Sequence, residues 1–400
     1  MINSEKISFV EGDRVLWVII GLLAIFSFLP VFSASSNLAY VIGKGTPLGY
    51  LVKHFIIMLF GFSLLYVFHK IPYNYFKGIS ILMMPIVVLL LIYTVSQGNI
   101  VQGANASRWI QIPIIGVSFQ TSNLASVTLM IYSAYYISKI KDNIPSFRAS
   151  FLSLWLPITC IVMLILPANF STSALLFLMI IVQLFIGGYP IKYLSYIFSI
   201  VMILLFAFVV TIKAFPEIIP NRLDTWNNRI ENFLSGNVED NYQIERAKIA
   251  IANGGILGQG AGKSVMKNFL PQSSSDFIYA IIVEEYGFIG GVLLIILYMI
   301  LLLRIIVISH KASTTFGKLL VLGLGIPIVF QALLNIGVNL EVFPVTGQTL
   351  PLVSSGGTSA WTTFIALGII LSVSSDSFQN LNEKSSKKIN NPLIILSEEI

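Results

Sequence analysis

Ten times along the chain the sequence runs through close to 20 almost wholly apolar residues before a short polar break. About 20 such residues are what a helix needs to cross a hydrocarbon core roughly 30 Å thick. The runs are continuously rich in Leu, Ile, Phe and Val, without the alternation of a transmembrane barrel, so the expected class is an all-α polytopic integral membrane protein. Spans are predicted at about 15–34, 51–68, 78–95, 121–138, 151–166, 171–187, 191–214, 276–303, 317–340 and 357–375. Composition closes the alternatives: with 56% hydrophobic and 10% charged residues in 400, the chain cannot cover a water-facing surface of its size. Soluble enzymes and disulfide-stapled modules are excluded.

The first run continues from Val15 to Phe32, longer than a signal-peptide core, and is therefore a retained span. Basic residues orient the chain. With the N-terminus inside, Lys6, Arg14, Lys70, Lys77, Lys139, Lys141, Arg148, Lys192, Arg304, Lys311, Lys318 and the tail lysines fall on the cytoplasmic side, leaving Lys44, Lys53 and Arg108 in the short outer loops. Both termini are thus expected in the cytoplasm. The net charge of +6 reflects these loops, and no nucleic-acid partner is read from it. Cys160 lies alone in an apolar run, without zinc-ligand spacing.

The expected organisation is one ten-helix membrane domain over 1–375 and a disordered cytoplasmic tail over 376–400, rich in Ser, Asn and Lys. Residues 215–275 form a large extracytoplasmic loop between helices 7 and 8, with a helix expected from Tyr242 to Ala252. Loops of that length tend to be functional.

Carboxylates at membrane depth are expensive, so their positions matter. Most of the 18 acids fall in loops and tails, which leaves Asp276, Glu284, Glu285 and Glu341 at or within spans. Asp276 opens the eighth span in SSSDFIYAIIVEEYG, where a helix N-cap and a catalytic base at the water interface are both open readings. Glu284 and Glu285, two turns deeper, read first as a buried structural pair and second as a relay. The stretch GQGAGKS, Gly258–Ser264, is not a P-loop: Leu257 stands where the pattern needs Gly. SSGGTS, Ser354–Ser359, reads either as an anion-holding turn or as close helix packing. Arg108, beside Trp109, reads as an interfacial anchor or a phosphate clamp.

These pieces together resemble the SEDS family of FtsW, RodA and SpoVE proteins. The resemblance rests on Ser33-Ala34-Ser35, Gly103-Ala104 with Arg108-Trp109-Ile110, Phe119-Gln120, Tyr242-Gln243, GGILGQGAGKSVMKNFLP (Gly254–Pro271), Asp276-Phe277-Ile278 with EEYGFIG (Glu284–Gly290), Asn335-Ile336-Gly337 and GQTLPLVSSGG (Gly347–Gly357). The GxGxGxSxxK pattern from Gly258 to Lys267, and Thr349 before Leu350-Pro351, lean toward the division type, FtsW. The chain departs from the family pattern at Gln120–Asn123, where QPSE reads QTSN, and at Leu270–Phe277, where LPExHTDF reads LPQSSSDF. It departs also at Asn169 in PANFST, where the family carries Asp, and at Ser355 in SSGG, where it carries Tyr.

The resemblance implies a glycosyltransferase that polymerises lipid II into peptidoglycan strands in the bacterial cytoplasmic membrane, at the division septum. It also implies a class B penicillin-binding protein as transpeptidase partner, beside other divisome proteins and membrane lipid. On this basis Asp276 is the base for the attacking hydroxyl. Arg108, Lys263, Lys267, Gln243, Ser354, Gly356 and Gly357 contact substrate, with or without a divalent cation such as Mg or Mn. A diphosphate leaves without a proton once its charge is neutralised, so one carboxylate suffices. The competing readings are a lipid II flippase, with charges near the midplane, and a non-catalytic divisome scaffold.

Overall fold

A computed structural model describes residues 11–40, 45–96, 100–101, 104–105, 109–112, 117–141, 146–214, 242–270 and 272–390. Each predicted apolar run is a helix: α1 (Arg14–Tyr40), α2 (Pro47–Lys70), α3 (Phe76–Ser96), α4 (Thr121–Ile140), α5 (Phe147–Ile165), α6 (Phe170–Ile186) and α7 (Ile191–Ala214). After the amphipathic α8 (Tyr242–Gly254) come α9 (Ile278–Lys311), α10 (Thr315–Asn339) and α11 (Gly357–Asn390). Among the described residues seven helices are long and apolar enough to cross a membrane; α6 and the apolar stretch 191–204 of α7 are shorter, and α4 is not among the seven.

Short polar breaks end in good caps, which is why the runs start where they do. Asp13 Oδ1 accepts Leu16 N–H at 2.9 Å, Thr46 caps Gly49 ahead of Pro47, Asn169 caps Thr172, and Thr314 caps Gly317. α10 and α11 lie inside the bundle, α10 against α4, α6, α9 and α11, and α11 against α2. Close approach depends on small residues. A Cβ on Gly61 would overlap the Phe364 ring, and one on Gly323 would overlap Gln183. Gln183 is the polar tie at this depth: its amide accepts Ser133 Oγ at 2.5 Å and donates to Met130 O and Leu319 O at 3.0 and 3.2 Å, joining α4, α6 and α10.

Three features depart from the sequence expectations. The outer segment before α4 contains two small antiparallel hairpins, β1 (Ile100–Val101) with β2 (Ala104–Asn105) and β3 (Trp109–Ile112) with β4 (Val117–Gln120). α11 continues past 375 to Asn390, where a disordered tail was expected to begin, with Ser374, Ser375 and Ser377 buried; residues 391–400 lie outside the described residues. α9 is broken at Gly287, with φ 70° and ψ −173°. Of the large outer loop, 242–270 and 272–275 are described and 215–241 lie outside the described residues.

Candidate functional site

The break in α9 and the Gly-rich loop form one unit. A helix interrupted at Gly287 strands the carbonyls before it and the N–H groups after it. The loop takes all four. Gln259 N–H and Gly260 N–H donate to Glu284 O and Glu285 O, each at 2.9 Å, while Phe288 and Ile289 donate to Gly255 O and Ile256 O at 2.9 and 3.4 Å. Irregular backbone is thereby satisfied by protein.

Glu284 and Glu285, both fully buried, lock the same loop. The Glu284 carboxylate accepts Ser264 Oγ and the N–H groups of Val265 and Met266 at 3.2 Å. Glu285 Oε1 accepts Ser33 Oγ and Ser264 N–H, the latter at 3.4 Å, tying the end of α1 to the loop. Lys267 Nζ donates to Ser33 Oγ at 3.1 Å and Gly262 O at 2.7 Å. The structural reading of this pair is therefore the one the geometry carries.

Asp276 sits in the turn between this loop and α9. Its N–H donates to Gln272 O at 3.1 Å, and its carbonyl accepts Asn335 Nδ2 and Asn339 Nδ2 at 2.7 and 3.2 Å. α9 starts at Ile278 with Phe277 at the cap position, so Asp276 stands one residue before it, and the N–H of Ala280 is taken by Asn339 Oδ1 of α10 at 3.2 Å. Asp276 is half-buried, and its Oδ2 lies 3.5 Å from where a Cβ on Gly347 would stand.

Asp276 lines a cavity of about 790 Å³ between β3, β4, α4, α6, α10 and the 343–356 loop. Asn335 also donates to Gln348 O at 2.7 Å, so one side chain ties Asp276's turn and the facing loop together. Trp109, Gln120, Asn123, Asn169 and Gly356 share the lining, as do Gln331 and Gln348. Both amides that replace family acids, Asn123 and Asn169, therefore face the same space as Asp276. Sequence reasoning assigned no role to Asn335, Asn339, Gln331 and Gln348; the i, i+4 pair in NIGVN, which shares one helix face, was the available signal.

The other predicted contacts separate from this cavity. Lys267 and exposed Lys263 belong to the Gly-rich loop, and Gln243 is half-buried on α8; none lines the cavity. Arg108 lies outside the described residues. In the SSGG turn the amides are largely spent: Ser355 N–H donates to Ser274 O at 2.8 Å and Gly356 N–H to Ser354 O at 2.9 Å. Ser354 Oγ donates to Ser275 O at 2.6 Å and accepts Leu350 N–H at 2.7 Å, bracing Asp276's turn rather than holding an anion. Gly357 opens α11.

The sequence pattern of a family described as cell cycle protein, covering FtsW, RodA and SpoVE, matches residues 13–379. A protein named "Probable peptidoglycan glycosyltransferase FtsW" from Hydrogenovibrio crunogenus is 30% identical over 374 residues, 92% of this chain and 93% of that one. A namesake from Trichlorobacter lovleyi is 32% identical over 373 residues, 91% and 93% of the two chains. The fold is similar to a chain of a solved peptidoglycan synthase complex that coordinates polymerization and crosslinking, with TM-score 0.70 and 23% identity, covering 92% of this chain and 99% of that one. It is also similar to the rod shape determining protein RodA of Thermus thermophilus, with TM-score 0.64 and 22% identity over 92% and 98%. This multi-pass membrane chain belongs to the FtsW, RodA and SpoVE family of cell cycle proteins.

Proposed function

We propose that this chain is a peptidoglycan glycosyltransferase of the division type, polymerising lipid II by inverting transfer. The observation that carries the reading is the cavity in which Asp276 is the one ionisable side chain among the described residues, held at the entry of α9 by Asn335 and Asn339 on its main-chain carbonyl. Relatives of nearly full matching length bear the name of that activity.

In the proposed reaction the acceptor hydroxyl oxygen attacks the anomeric carbon of a sugar joined through diphosphate to a polyprenol. The new C–O bond forms on the face opposite the breaking one, the diphosphate leaves with the electron pair, and the hydroxyl proton passes to the Asp276 carboxylate. No described cluster brings three His, Cys, Asp or Glu side chains together. A Mg²⁺ or Mn²⁺ beside Asp276 would take most ligands from phosphate oxygens and water, and would supply neutralisation of the leaving charge.

The partner reading is a class B penicillin-binding protein, within a larger set of division proteins. It is supported by the likeness to a chain from a synthase complex. Cytoplasmic termini, read from the basic residues of the short loops, and a septal location go with it. A flippase is disfavoured because Glu284 and Glu285, its candidate midplane charges, are occupied in holding a loop.

The test is purified full-length protein, alone and with its transpeptidase partner, given labelled lipid II. Glycan polymer is the expected product; none from wild type with partner overturns the reading, and liposome flipping of lipid II would then separate carrier from scaffold.

A further inference from the structure

The Gly-rich loop belongs to the outer segment, yet its tip is built for a place without water. From Ile249 to Gly262 no residue is charged, and Lys248 and Lys263 stand at the two ends. Successive carbonyls of the tip find donors within the protein. Asn253 O accepts Gln259 Nε2 at 2.6 Å and Gly254 O accepts Gly258 N–H at 2.8 Å, while Gly255 O and Ile256 O take the N–H groups of Phe288 and Ile289 across the α9 break. A turn in water can leave its carbonyls to solvent; one in hydrocarbon cannot. The side chains point outward all the same, with Ile256 and Leu257 70% and 79% exposed.

Two polar ties mark the depth of this tip. Asp13 pairs with Arg304 at one end of α1 and α9, and Ser33 Oγ donates to Glu285 at the other. From Asp13 to Ser33, and from Arg304 to Glu285, the helices rise about 30 Å at roughly 1.5 Å per residue, the thickness of a hydrocarbon core. Between the ties on α9, Tyr286 to Leu303 carries no charge. Ile289 lies one turn inside Glu285, hence about 6 Å below the outer boundary, and its N–H is the one bonded to Ile256. The tip therefore stands at acyl-chain level beside Phe288 and Ile289, which are themselves 65% and 55% exposed. Leu293 and Ile296, at helical spacing from Ile289, carry the same exposed surface down α9.

From this we infer that Ile256 and Leu257 form a wedge inserted in the outer leaflet: the loop folds back into the membrane and meets lipid acyl chains. The occupant of this surface is bilayer hydrocarbon, because the tip continues the exposed face of a helix apolar enough to span the membrane. A depth of about 6 Å falls within the roughly 5–10 Å that the apolar faces of interfacial segments reach. Lys263 then stands at the water boundary, and the loop is gripped from two sides, by Glu284 and Glu285 within the protein and by lipid outside it. This contact goes beyond the reaction proposed at Asp276 and does not depend on it.

The experiment uses full-length protein labelled with an NBD maleimide and placed in nanodiscs of phosphatidylcholine and phosphatidylglycerol. Native Cys160, exposed within the α5 span, calibrates depth; Leu257→Cys, Ile256→Cys and Lys263→Cys are made together with Cys160→Ala. The quenchers are phosphatidylcholine with a nitroxide high on its acyl chain, the same lipid with the nitroxide at mid-chain, and aqueous iodide. The probe at Leu257→Cys is expected to be quenched by the shallow nitroxide at least about twofold more than the probe at Lys263→Cys, and by iodide at least about twofold less. Ile256→Cys should follow Leu257→Cys, which keeps the test decisive if one of the two folds poorly. The Cys160 probe should favour the mid-chain nitroxide. Iodide quenching at Leu257→Cys and Ile256→Cys equal to that at Lys263→Cys puts the tip in water and overturns the inference. Protection of both from iodide and from nitroxide lipid alike means that protein covers the tip, residues 215–241 or a second copy of the chain, and overturns it equally.

Discussion

The Glu284 carboxylate accepts the backbone N–H of Met266 at 3.2 Å, joining the broken membrane helix to the outer loop that leads into Asp276. A buried carboxylate is stable there because it receives a hydroxyl and two amide N–H groups at once. Glu284→Ala strands those donors and is expected to cost about 1–3 kcal/mol in the bundle. Glu284→Gln, which keeps one acceptor oxygen, should cost less. Thermal unfolding in detergent, with limited proteolysis of the 255–270 loop, measures both.

Asp276→Asn separates catalysis from folding. Asn keeps a capping oxygen and the shape of Asp, and Asn335 and Asn339 bond the main-chain carbonyl of residue 276, so this variant should unfold at the wild-type temperature. Polymerisation should fall by about 10²–10⁴, the range for loss of a general base. A thermal shift equal to that of a lost cap would return Asp276 to a structural role.

Gly287 has a backbone conformation that other residues rarely adopt, and a Cβ there would overlap Ile256 O and stand 2.5 Å from Gly258 N. Gly287→Ala should cost at least about 1–3 kcal/mol from the backbone alone. It is expected to reduce membrane yield and melting temperature more than Gly21→Ala, where an added methyl meets nothing within 4 Å.

Arg304 pairs with Asp13, which is 3% exposed and also caps α1. Arg304→Met leaves that carboxylate unpaired and should destabilise the bundle by about 1–3 kcal/mol, discounted because the arginine is partly solvated. Asp13→Asn retains a good cap and should cost less. Comparing the two in urea or SDS unfolding isolates the charge contribution.

Glu11 lies before the first span, and its hydrogen bond to Lys70, with that residue's charge, holds its carboxyl below the usual 4.5. A lowered folded value means that the unfolded state binds more protons in this range, so stability rises with pH. The Glu11 contribution is complete above about pH 4.5 and is lost as pH falls through the folded value. Glu11→Gln should flatten this part of the stability profile slightly, since the pair is solvated.

The helices were legible because each membrane crossing must satisfy its own backbone and so leaves a long apolar signature. Asp276 was legible because charge is scarce near the spans. What the sequence concealed is tertiary. The i, i+4 amides of Asn335 and Asn339 meet Asp276 across 59 and 63 residues, and nothing local announces that Asn339 caps a different helix. Gly287 reads locally as one tolerated glycine in an apolar run; only the loop at 255–260, by bonding both sides of the gap, makes the break affordable. Lys263 and Lys267 were assigned to the substrate by resemblance, and neither is among the residues that line the cavity.

The interruption at Gly287 also decides what bilayer thickness can do to this protein. Below it, the segment from Phe288 to Lys311 is about 36 Å long at roughly 1.5 Å per residue, enough by itself to cross a hydrocarbon layer of about 30 Å. The outer piece, Ile278 to Tyr286, is bonded to α10 and the loop and has no crossing to complete. A thinner or thicker lipid phase can be met by tilting the inner segment, while the outer piece keeps its distance from Asn335 and Asn339. Hydrophobic mismatch is thus absorbed by the Phe288–Lys311 segment, and the Asp276 carboxylate is insulated from it.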